Sequence, residues 1–274
     1  MLGLKFKQFV LMLLRVTGLM GIADKILLVL HIWKNAGDNR AYRRENPGLE
    51  LPPYHILFDV SAGCNYRGYY SSGLPDARFL VDAMGKYVPA GNLTVCEWGC
   101  GPARLVQHLT RDPRIAKVLA CDYNPHTIAW CEKTFPQIEF LKNELAPPLP
   151  IKSDSLDVLY CVSVFTHLSE AMHYEWIAEI RRVLKPGGIF LGTFHGEKTK
   201  QNLLPWELAD FNSGKLVVRS GPYEGSKNFG ASHSDRFVRN KLLAGFGEVT
   251  LIDWPSFHQE LYCARKPAAP VDPS

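Results

Sequence analysis

The sequence of 274 residues lacks several features that would assign it to a special class of protein. Its seven cysteines are an odd number with no C-x-x-C pair, which disfavours a disulfide framework or a zinc site. No uncharged apolar run reaches the ~18 residues needed to span a bilayer. Internal repeats and low-complexity segments are also missing. These features favour a soluble or peripheral protein from a reducing, cytoplasmic environment.

The chain also has little net charge, and that charge is unevenly distributed. Its formal net charge is +4, from 31 basic and 27 acidic side chains. Residues 1–50 carry eight basic and four acidic side chains, so the rest of the chain carries 23 of each. A neutral main domain has no basic surplus of the kind that binds nucleic acid.

The N-terminal region is predicted to be an appendage of two apolar-rich helices, over residues 4–20 and 24–35. A polar stretch and three prolines follow, which predicts a linker over about 35–55. The whole extension therefore covers residues 1–55. We expect the helices to pack on the main domain or on a second subunit, as in a homodimer. The alternative is a peripheral membrane contact through residues 1–35, at the inner membrane face.

From residue 94 onward, short apolar strands alternate with helical stretches, which predicts an α/β domain with a parallel sheet. This domain covers residues 56–266, includes an insertion over about 197–234, and is followed by a disordered tail at 267–274. The predicted strands are 94–98, 117–121, 138–141, 156–162, 189–194, 248–252 and 261–265. The predicted helices are 102–111, 125–134, 170–184 and 235–244.

The central motif is a strand that runs into two glycines. Residues 95–105 read Val-Cys-Glu-Trp-Gly-Cys-Gly-Pro-Ala-Arg-Leu. Gly99 and Gly101 allow a tight turn and close approach of a ligand, and a helix start directly after it would favour an anionic ligand group. A dinucleotide-binding turn would have Gly or Ala where Arg104 stands. The carboxylate of Glu97 instead suits a ligand with a cationic group.

An acidic residue ends the next predicted strand. Asp122 lies some 20 residues beyond the glycines, where a carboxylate can accept hydrogen bonds from both hydroxyls of a ribose. Tyr123 and Asn124 follow it and offer an apolar face and an amide beside a base. Capping of the helix that begins at Pro125 is an alternative role for Asp122, and the two roles are compatible.

With these residues in place, the sequence resembles the class I S-adenosylmethionine-dependent methyltransferases, specifically the ubiquinone-biosynthesis-like (type 11) small-molecule branch. The resemblance covers roughly residues 70–266 and implies a Rossmann-like sheet of seven mostly parallel strands. It further implies an antiparallel last strand and helices on both faces. The motifs that carry it are Glu97-Trp98-Gly99-Cys100-Gly101, Asp122, Phe140-Leu141-Lys142-Asn143, Ser155-Leu156-Asp157 with Phe165-Thr166-His167, and Lys185-Pro186-Gly187-Gly188.

The resemblance implies S-adenosylmethionine as the cofactor and assigns residues to each part of it. Asn143 stands where the family usually has an Asp that contacts the adenine amino group. An aromatic segment with Tyr66 and Tyr70 would cover the cofactor as a lid, although ordinary packing of these tyrosines is the alternative. No ligand spacing predicts a metal site. The other implied contacts are Glu97, Gly99, Cys100 and Gly101 for the methionine part, Asp122 and Tyr123 for the nucleoside, and Cys161, Val162 and Ser163 beside the sulfonium.

Methyl transfer to a protonated acceptor needs alignment and a base. His195 and His167 follow two strands that are predicted to end at the cofactor edge. A helix cap or a hydrogen-bonded, half-buried imidazole is the alternative for each. We expect His195 to be the base because it leaves an apolar strand and precedes a flexible glycine. His233 and His258 have weaker claims.

The acceptor is expected to be a small molecule, a glycan or a lipid-linked compound, methylated at oxygen and selected by the insertion. A nucleic acid is not expected, because nucleic-acid methylases carry Asp, Asn or Ser before Pro-Pro-Tyr, and Leu51 occupies that position here. The alternative function is a non-catalytic, S-adenosylmethionine-binding regulatory or scaffold module that lies at the membrane periphery.

Overall fold

A computed structural model describes residues 20–61, 63–89, 91–219, 223–226 and 228–268. They form two compact units, one ending at Ser71 and the other beginning at Ser72. The boundary predicted from the sequence is earlier, near residue 55. The helix predicted over 4–20 lies outside the described residues, except for its last residue, and so does the tail from residue 269.

The first unit consists of helices α1 (Met20–Glu45), α2 (Tyr54–Ser61) and α3 (Tyr66–Tyr70). Its core holds Tyr42, Leu57, Tyr66 and Tyr70. The segment predicted as a helix over 24–35 is part of this longer α1. The linker prediction is therefore wrong for residues 35–45, which are helical.

The polar residues that suggested a linker have partners within this unit. Asn39 is buried; its Nδ2 donates to the Cys64 carbonyl (2.6 Å) and its Oδ1 accepts from the Tyr66 N–H (3.0 Å). Asp38 forms an ion pair with Arg67 (2.9 Å). Because these polar groups are satisfied by α3 and the chain before it, a polar composition here does not mean an unstructured segment.

The second unit is built on a seven-stranded sheet. Its strands are β1 (Leu93–Trp98), β2 (Ile115–Asp122), β3 (Glu139–Lys142), β4 (Leu156–Cys161), β5 (Leu184–Phe194), β8 (Glu248–Ile252) and β9 (Glu260–Arg265). Their order across the sheet is β3-β2-β1-β4-β5-β9-β8. A separate hairpin contains β6 (Val217–Arg219) and β7 (Gly230–Ser232). The helices are α4 (Gly73–Met84), α5 (Pro125–Thr134), α6 (Glu170–Val183), α7 (Pro205–Asn212) and α8 (Asp235–Phe237).

Strands β1 to β5 pair in parallel, whereas β9 is antiparallel to both β5 and β8. Each sheet face carries its own core. Leu80 of α4 and Ile128 of α5 belong to the core on one face, and Trp176 and Ile180 of α6 belong to the other. This confirms the predicted fold class.

The strand order reverses between β1 and β4. In open α/β sheets, ligands bind in the crevice outside the carboxyl ends of the strands at such a reversal. The glycine turn after β1 and the loop after β4 therefore meet at the expected ligand-binding edge.

The helix predicted over residues 102–111 is wrong in its first half. Residues 101–105 form turns, and a 3₁₀ helix follows at Val106–Arg111. Gly101 and Ala103 have φ values of 50° and 57°, and α-helical backbone cannot include such left-handed residues. The helix start that was expected to present N–H groups to an anion is thus replaced by a turn.

Residues 185–188, the last motif of the family resemblance, are included at the start of β5. The pairing of β4 with β5 jumps from Leu156–Leu184 to Val158–Ile189, so the glycines lie in a bulge of the strand. A Cβ on Gly188 would lie 2.9–3.1 Å from three backbone oxygens. Only glycine fits there without a shift of the backbone.

The predicted insertion contains defined elements. It includes a 3₁₀ helix at Glu197–Asn202, α7 and the β6–β7 hairpin. The helix predicted over 235–244 is seen as α8 followed by a π-helical turn at Val238–Leu242. Within the described ranges, no helix is both long and apolar enough to cross a bilayer.

Candidate functional site

The glycine turn bends sharply at the end of β1. The N–H groups of Gly99 and Cys100 donate to the Cys121 carbonyl at the end of β2 (2.8 and 3.0 Å). Gly99 has a φ of 73°, and a Cβ there would lie 2.4 Å from Cγ2 of Val164. The turn therefore lies directly against the loop that follows β4, and it requires glycine at position 99.

Glu97 is a buried carboxyl group beneath this turn. Its Oε2 accepts hydrogen bonds from the Val106 N–H (3.0 Å) and from the Tyr160 phenol (2.9 Å). Burial raises the pKa of Glu97 to about 8, against the lowering effect of these bonds and of the Arg104 charge. Glu97 thus anchors the turn and remains largely protonated at neutral pH.

Asp122 is brought onto the same turn. Its Oδ2 accepts from the Gly101 N–H (3.0 Å) and its Oδ1 from the Asn124 N–H (2.8 Å). Burial raises the pKa of Asp122, although these backbone donors oppose the shift. The cap of α5 is Asn124, whose side chain accepts from the N–H groups of His126 and Thr127. Asp122 itself is therefore not the capping residue.

Asn143 joins the site from the end of β3. Its N–H donates to the Asp122 carbonyl (3.2 Å), and its Nδ2 donates to the Glu144 carbonyl (2.6 Å). Its Oδ1 is buried and has no hydrogen-bond partner among the described residues. A buried, unpaired acceptor of this kind fits an amino group such as that of adenine. Tyr123 is 44% exposed nearby.

The loop after β4 supplies the opposite wall. Burial raises the pKa of Cys161 well above its usual value, so this thiol belongs to the core. Val162 is partly buried against the core. Ser163 has a φ of 62°, and its N–H donates to Oγ1 of Thr193 on β5 (2.8 Å). The three residues thus lie at the end of β4, as predicted.

The two candidate bases differ in how they are held. Nδ1 of His167 lies 3.0 Å from the Phe229 carbonyl, which can only accept, so Nδ1 carries the hydrogen. The ring of His195 lies 5.8 Å from that of His258. Burial is the main cause that lowers the pKa of both candidates, for His195 to about 4. Both imidazoles are therefore neutral at pH 7.

Two of the predicted residues belong to the first unit, and three residues near the glycine turn and the loop after β4 were not predicted. Tyr66 and Tyr70 belong to the core of the first unit, where the Tyr66 phenol donates to the Pro52 carbonyl (2.7 Å). Tyr160, Thr193 and Gln259 were not predicted for the site. Tyr160 lies inside an apolar strand, and no motif marks the other two. In the described part of the chain, no three His, Cys, Asp or Glu side chains come together as metal ligands.

The sheet order, the glycine turn and the acidic residue that ends β2 give the second unit the features of a class I S-adenosylmethionine-dependent methyltransferase domain. Residues 96–192 match the family described as "Methyltransferase domain". The unpaired Oδ1 of Asn143 and the absence of a Cβ at Gly99 both fit the cofactor of this class. S-adenosylmethionine is therefore the cofactor that the domain is built to bind.

Individual relatives support the same class. The chain is 29% identical to the Mycolicibacterium smegmatis "Probable S-adenosylmethionine-dependent methyltransferase", over 51% of this chain and 55% of that protein. It is 33% identical to the Mycobacterium ulcerans "Probable phthiotriol/phenolphthiotriol dimycocerosates methyltransferase 2", over 62% of this chain and 59% of that protein. The chain thus spans little more than half the length of these relatives.

A solved structure shows the fold. Streptomyces venezuelae DesVI superposes with a TM-score of 0.57 at 13% identity, covering 80% of this chain and 100% of that one. At this level of identity the likeness concerns the fold, which agrees with the sheet described above.

Proposed function

We propose that this chain transfers a methyl group from S-adenosylmethionine to a hydroxyl oxygen of a small-molecule, glycan or lipid-linked acceptor. The observation that carries the proposal is the neutral imidazole of His195, which follows β5 at the same sheet edge as Glu97 and Asp122. The name of the M. ulcerans relative contains a triol, which supports oxygen as the methylated atom.

The residues that would hold the cofactor lie on three adjacent strands. Glu97, Gly99 and Gly101 would bind its methionine part, Asp122 its ribose and Asn143 its adenine. The bound cofactor supplies a methyl group on a positively charged sulfur, which is already activated for displacement. The protein then has to align the acceptor and remove its proton.

His195 is the residue that we assign to this proton transfer. Burial lowers its pKa to about 4, so the imidazole is unprotonated at neutral pH and can accept a proton, as a weaker base than an exposed imidazole. His167 is the second candidate; its Nδ1–H donates to the Phe229 carbonyl, so the ring also links the loop after β4 to the insertion. His233 is fully buried and donates its backbone N–H to the His195 carbonyl (2.7 Å).

The test measures transfer of a labelled methyl group from S-adenosylmethionine by the full chain over a panel of alcohols, sugars and lipid alcohols. We expect His195→Gln to lower the rate by two to four orders of magnitude, with unchanged cofactor affinity in calorimetry. His167→Gln, the matched control, should lower thermal stability more than the rate.

The outcomes separate the candidate functions. Full activity of His195→Gln would exclude this residue as the base. Cofactor binding without turnover on the whole panel would favour a non-catalytic regulatory or scaffold module. An absence of cofactor binding would refute both functions.

We also propose that the first unit contacts an anionic membrane surface, which would place the protein in the cytoplasm at the inner membrane face. The apolar side chains of Ile22, Ile26, Val29, Leu30 and Trp33 are 53–82% exposed. Their spacing places them on one face of α1.

The same face of α1 carries basic side chains further along. Arg40 follows Ile22 by about five helical turns, and Arg44 comes one turn later; both are exposed. This arrangement suits a helix at a membrane surface. Its apolar side chains would lie among the acyl chains, the tryptophan at the interface and the arginines at the headgroups.

Vesicle sedimentation tests this contact with the full chain. We expect binding to vesicles of phosphatidylglycerol and phosphatidylcholine, less binding to phosphatidylcholine alone, and loss of binding in Ile26→Ser/Trp33→Ser. The control is Trp206→Ser, which changes a tryptophan that is 66% exposed in the second unit. If the double variant instead turned a dimer into a monomer and left vesicle binding unchanged, the stripe would be a homodimer contact.

A further inference from the structure

Gln259, the residue directly before β9, holds an unsatisfied polar group at the carboxyl edge of the sheet. Its side chain is only 1% exposed. Nε2 donates to Oγ of Ser163 (2.8 Å), whereas Oε1 is buried and has no hydrogen-bond partner among the described residues. If the amide were turned over, the Ser163 hydroxyl would donate to Oε1 and the NH₂ group would be unpaired instead. In either orientation one polar end has no partner.

The position of Gln259 places it beside the predicted cofactor site. Its partner Ser163 is followed by Val164, which contacts the glycine turn at Gly99. Ser163 is also held to β5 through Thr193 (2.8 Å). Nε2 of Gln259 lies 3.5 Å from Nε2 of His258, whose ring is near that of His195. The free end of the amide is thus near both the cofactor turn and the proposed base.

A second unpaired acceptor comes from the next residue. Oε1 of Glu260 accepts from the Lys198 N–H (2.6 Å), whereas Oε2 is buried without a partner among the described residues. A Cβ on Gly196 would lie 2.6 Å from this oxygen. Gly196 directly follows His195, so the free carboxylate oxygen lies against the turn that carries the proposed base.

Unpaired buried acceptors are costly, at about 1–3 kcal/mol each, and native structures contain few of them. Two such unpaired groups on consecutive residues at a ligand-binding edge call for two hydrogen-bonding partners. An apolar acceptor molecule would leave both unpaired, whereas hydroxyl groups would satisfy them.

We propose that Gln259 and Glu260 form a hydroxyl-binding subsite, and that the methyl acceptor is a polyol with at least two hydroxyl groups. This inference rests on the proposed methyl transfer. Gln259 acts as a positioning residue that orients the acceptor hydroxyl toward the cofactor. Glu260 binds a second hydroxyl.

The test uses the full chain saturated with S-adenosylhomocysteine and measures binding of 1,2-hexanediol and 1-hexanol by calorimetry below their solubility limits. The native chain should bind the diol at least tenfold more tightly than the monoalcohol. Gln259→Leu and Glu260→Gln should each reduce this preference to about twofold or less. The exposed Gln137→Leu serves as the matched control and should retain the preference.

Thermal unfolding supplies a second readout, which distinguishes a role of Gln259 in binding the acceptor from a purely structural role. Since Gln259 carries an unpaired group, Gln259→Leu should leave the unfolding midpoint unchanged or raise it. A lowered midpoint together with an unchanged diol preference would mean that Gln259 only supports Ser163, and the inference would be wrong. Equal affinity for both probes, or binding of neither, in the native chain would also overturn it. Diol-selective binding without methyl transfer would leave the subsite standing and refute the proposed function.

Discussion

The Nε2 atoms of His173 on α6 and His233 after β7 lie 2.6 Å apart in the protein interior. Nδ1 of His173 faces the Ser169 carbonyl (2.7 Å) and must carry its hydrogen. In the neutral pair, His233 therefore donates through Nε2–H, and its buried Nδ1 has no partner among the described residues. The pair links α6 to the end of the insertion through one Nε2–H···Nε2 hydrogen bond, which is lost once both rings carry a proton on Nε2.

This pair predicts loss of stability in mild acid. Burial lowers the pKa of His173 to about 4 and that of His233 well below its usual value, while Glu224 weakly opposes the shift at His173. The unfolded chain takes up protons below pH ~6.5 and the folded chain does not. The stabilisation that the two uncharged histidines contribute is therefore complete above pH ~6.5 and is lost as the pH falls toward 4. For His173 alone the loss is about 3 kcal/mol.

Urea unfolding at pH 7.5, 6 and 5 measures this loss. The double variant His173→Phe/His233→Phe should show a flatter dependence, since neighbouring Phe165, Phe194 and Phe237 can pack against the new rings. Replacement of the exposed His126 by Gln should leave the profile unchanged. A double variant with the native pH dependence would show that other groups cause it.

The bond between Tyr160 and Glu97 predicts a pH-dependent cofactor affinity. The cationic group of the cofactor favours ionised Glu97, so affinity should rise with pH toward about 8. Tyr160→Phe removes a donor that lowers the pKa of Glu97 and should weaken binding about tenfold at pH 7. Calorimetric titrations from pH 6.5 to 9 check both effects.

The control for Tyr160→Phe is Tyr262→Phe, which also removes a phenol that donates to a carboxylate, here Asp235 (2.8 Å). It should leave cofactor affinity unchanged. A flat affinity profile in the native chain would contradict a charge interaction at Glu97.

Two glycines with similar φ values are expected to differ in how strongly their replacement by alanine destabilises the protein. Gly99 and Gly187 have φ values of 73° and 79°, but only Gly99 would bring its Cβ against a neighbour, Val164. Gly187→Ala should cost about 1–2 kcal/mol of strain. Gly99→Ala should cost more and abolish cofactor binding, because the turn must move.

Chemical denaturation and cofactor titration measure this difference. Adding Val164→Ala to Gly99→Ala should recover part of the lost stability, since it removes the contact but not the strained φ. Equal effects of the two glycine variants would show that the contact with Val164 is unimportant.

The unpaired Oδ1 of Asn143 predicts selectivity for the adenine amino group. Asn143→Ala should weaken binding of S-adenosylhomocysteine about tenfold and have little effect on the S-inosyl analogue, which lacks that amino group. Competition of both compounds with the natural cofactor measures the ratio. Asn143→Asp should not retain the native ratio of the two affinities, because a carboxylate oxygen would then face the Glu144 carbonyl. An unchanged ratio in Asn143→Ala would remove Asn143 from the adenine site.

The placement of the residues proposed to bind the cofactor could be predicted from the sequence because it follows from local patterns. Gly99 and Asp122 follow consecutive strands, and apolar periodicity is enough to place the ends of those strands at one edge. The helix after the turn was wrong because the bonds that prevent it, from Val106 to Glu97 and from Gly101 to Asp122, are tertiary. The linker was wrong for a similar reason, since the partners of Asn39 lie some 25 residues away.

Of the residues proposed for the acceptor side, only His195 could be predicted from a local pattern. His195 was found as a polar residue at the end of an apolar strand. Gln259 and Glu260 occur in an ordinary polar loop and the start of a strand. Their burial becomes visible only once β9 is paired between β5 and β8.

The antiparallel placement of β9 has a consequence for the order of assembly. The bond between Gly101 and Asp122 spans 21 residues, whereas that between Gln259 and Ser163 spans 96. Contacts between neighbours in sequence form with less loss of chain entropy than distant ones. During folding, the half of the crevice proposed to bind the nucleoside can therefore form early. The half proposed to bind the acceptor forms only when the chain has returned from the sheet edge.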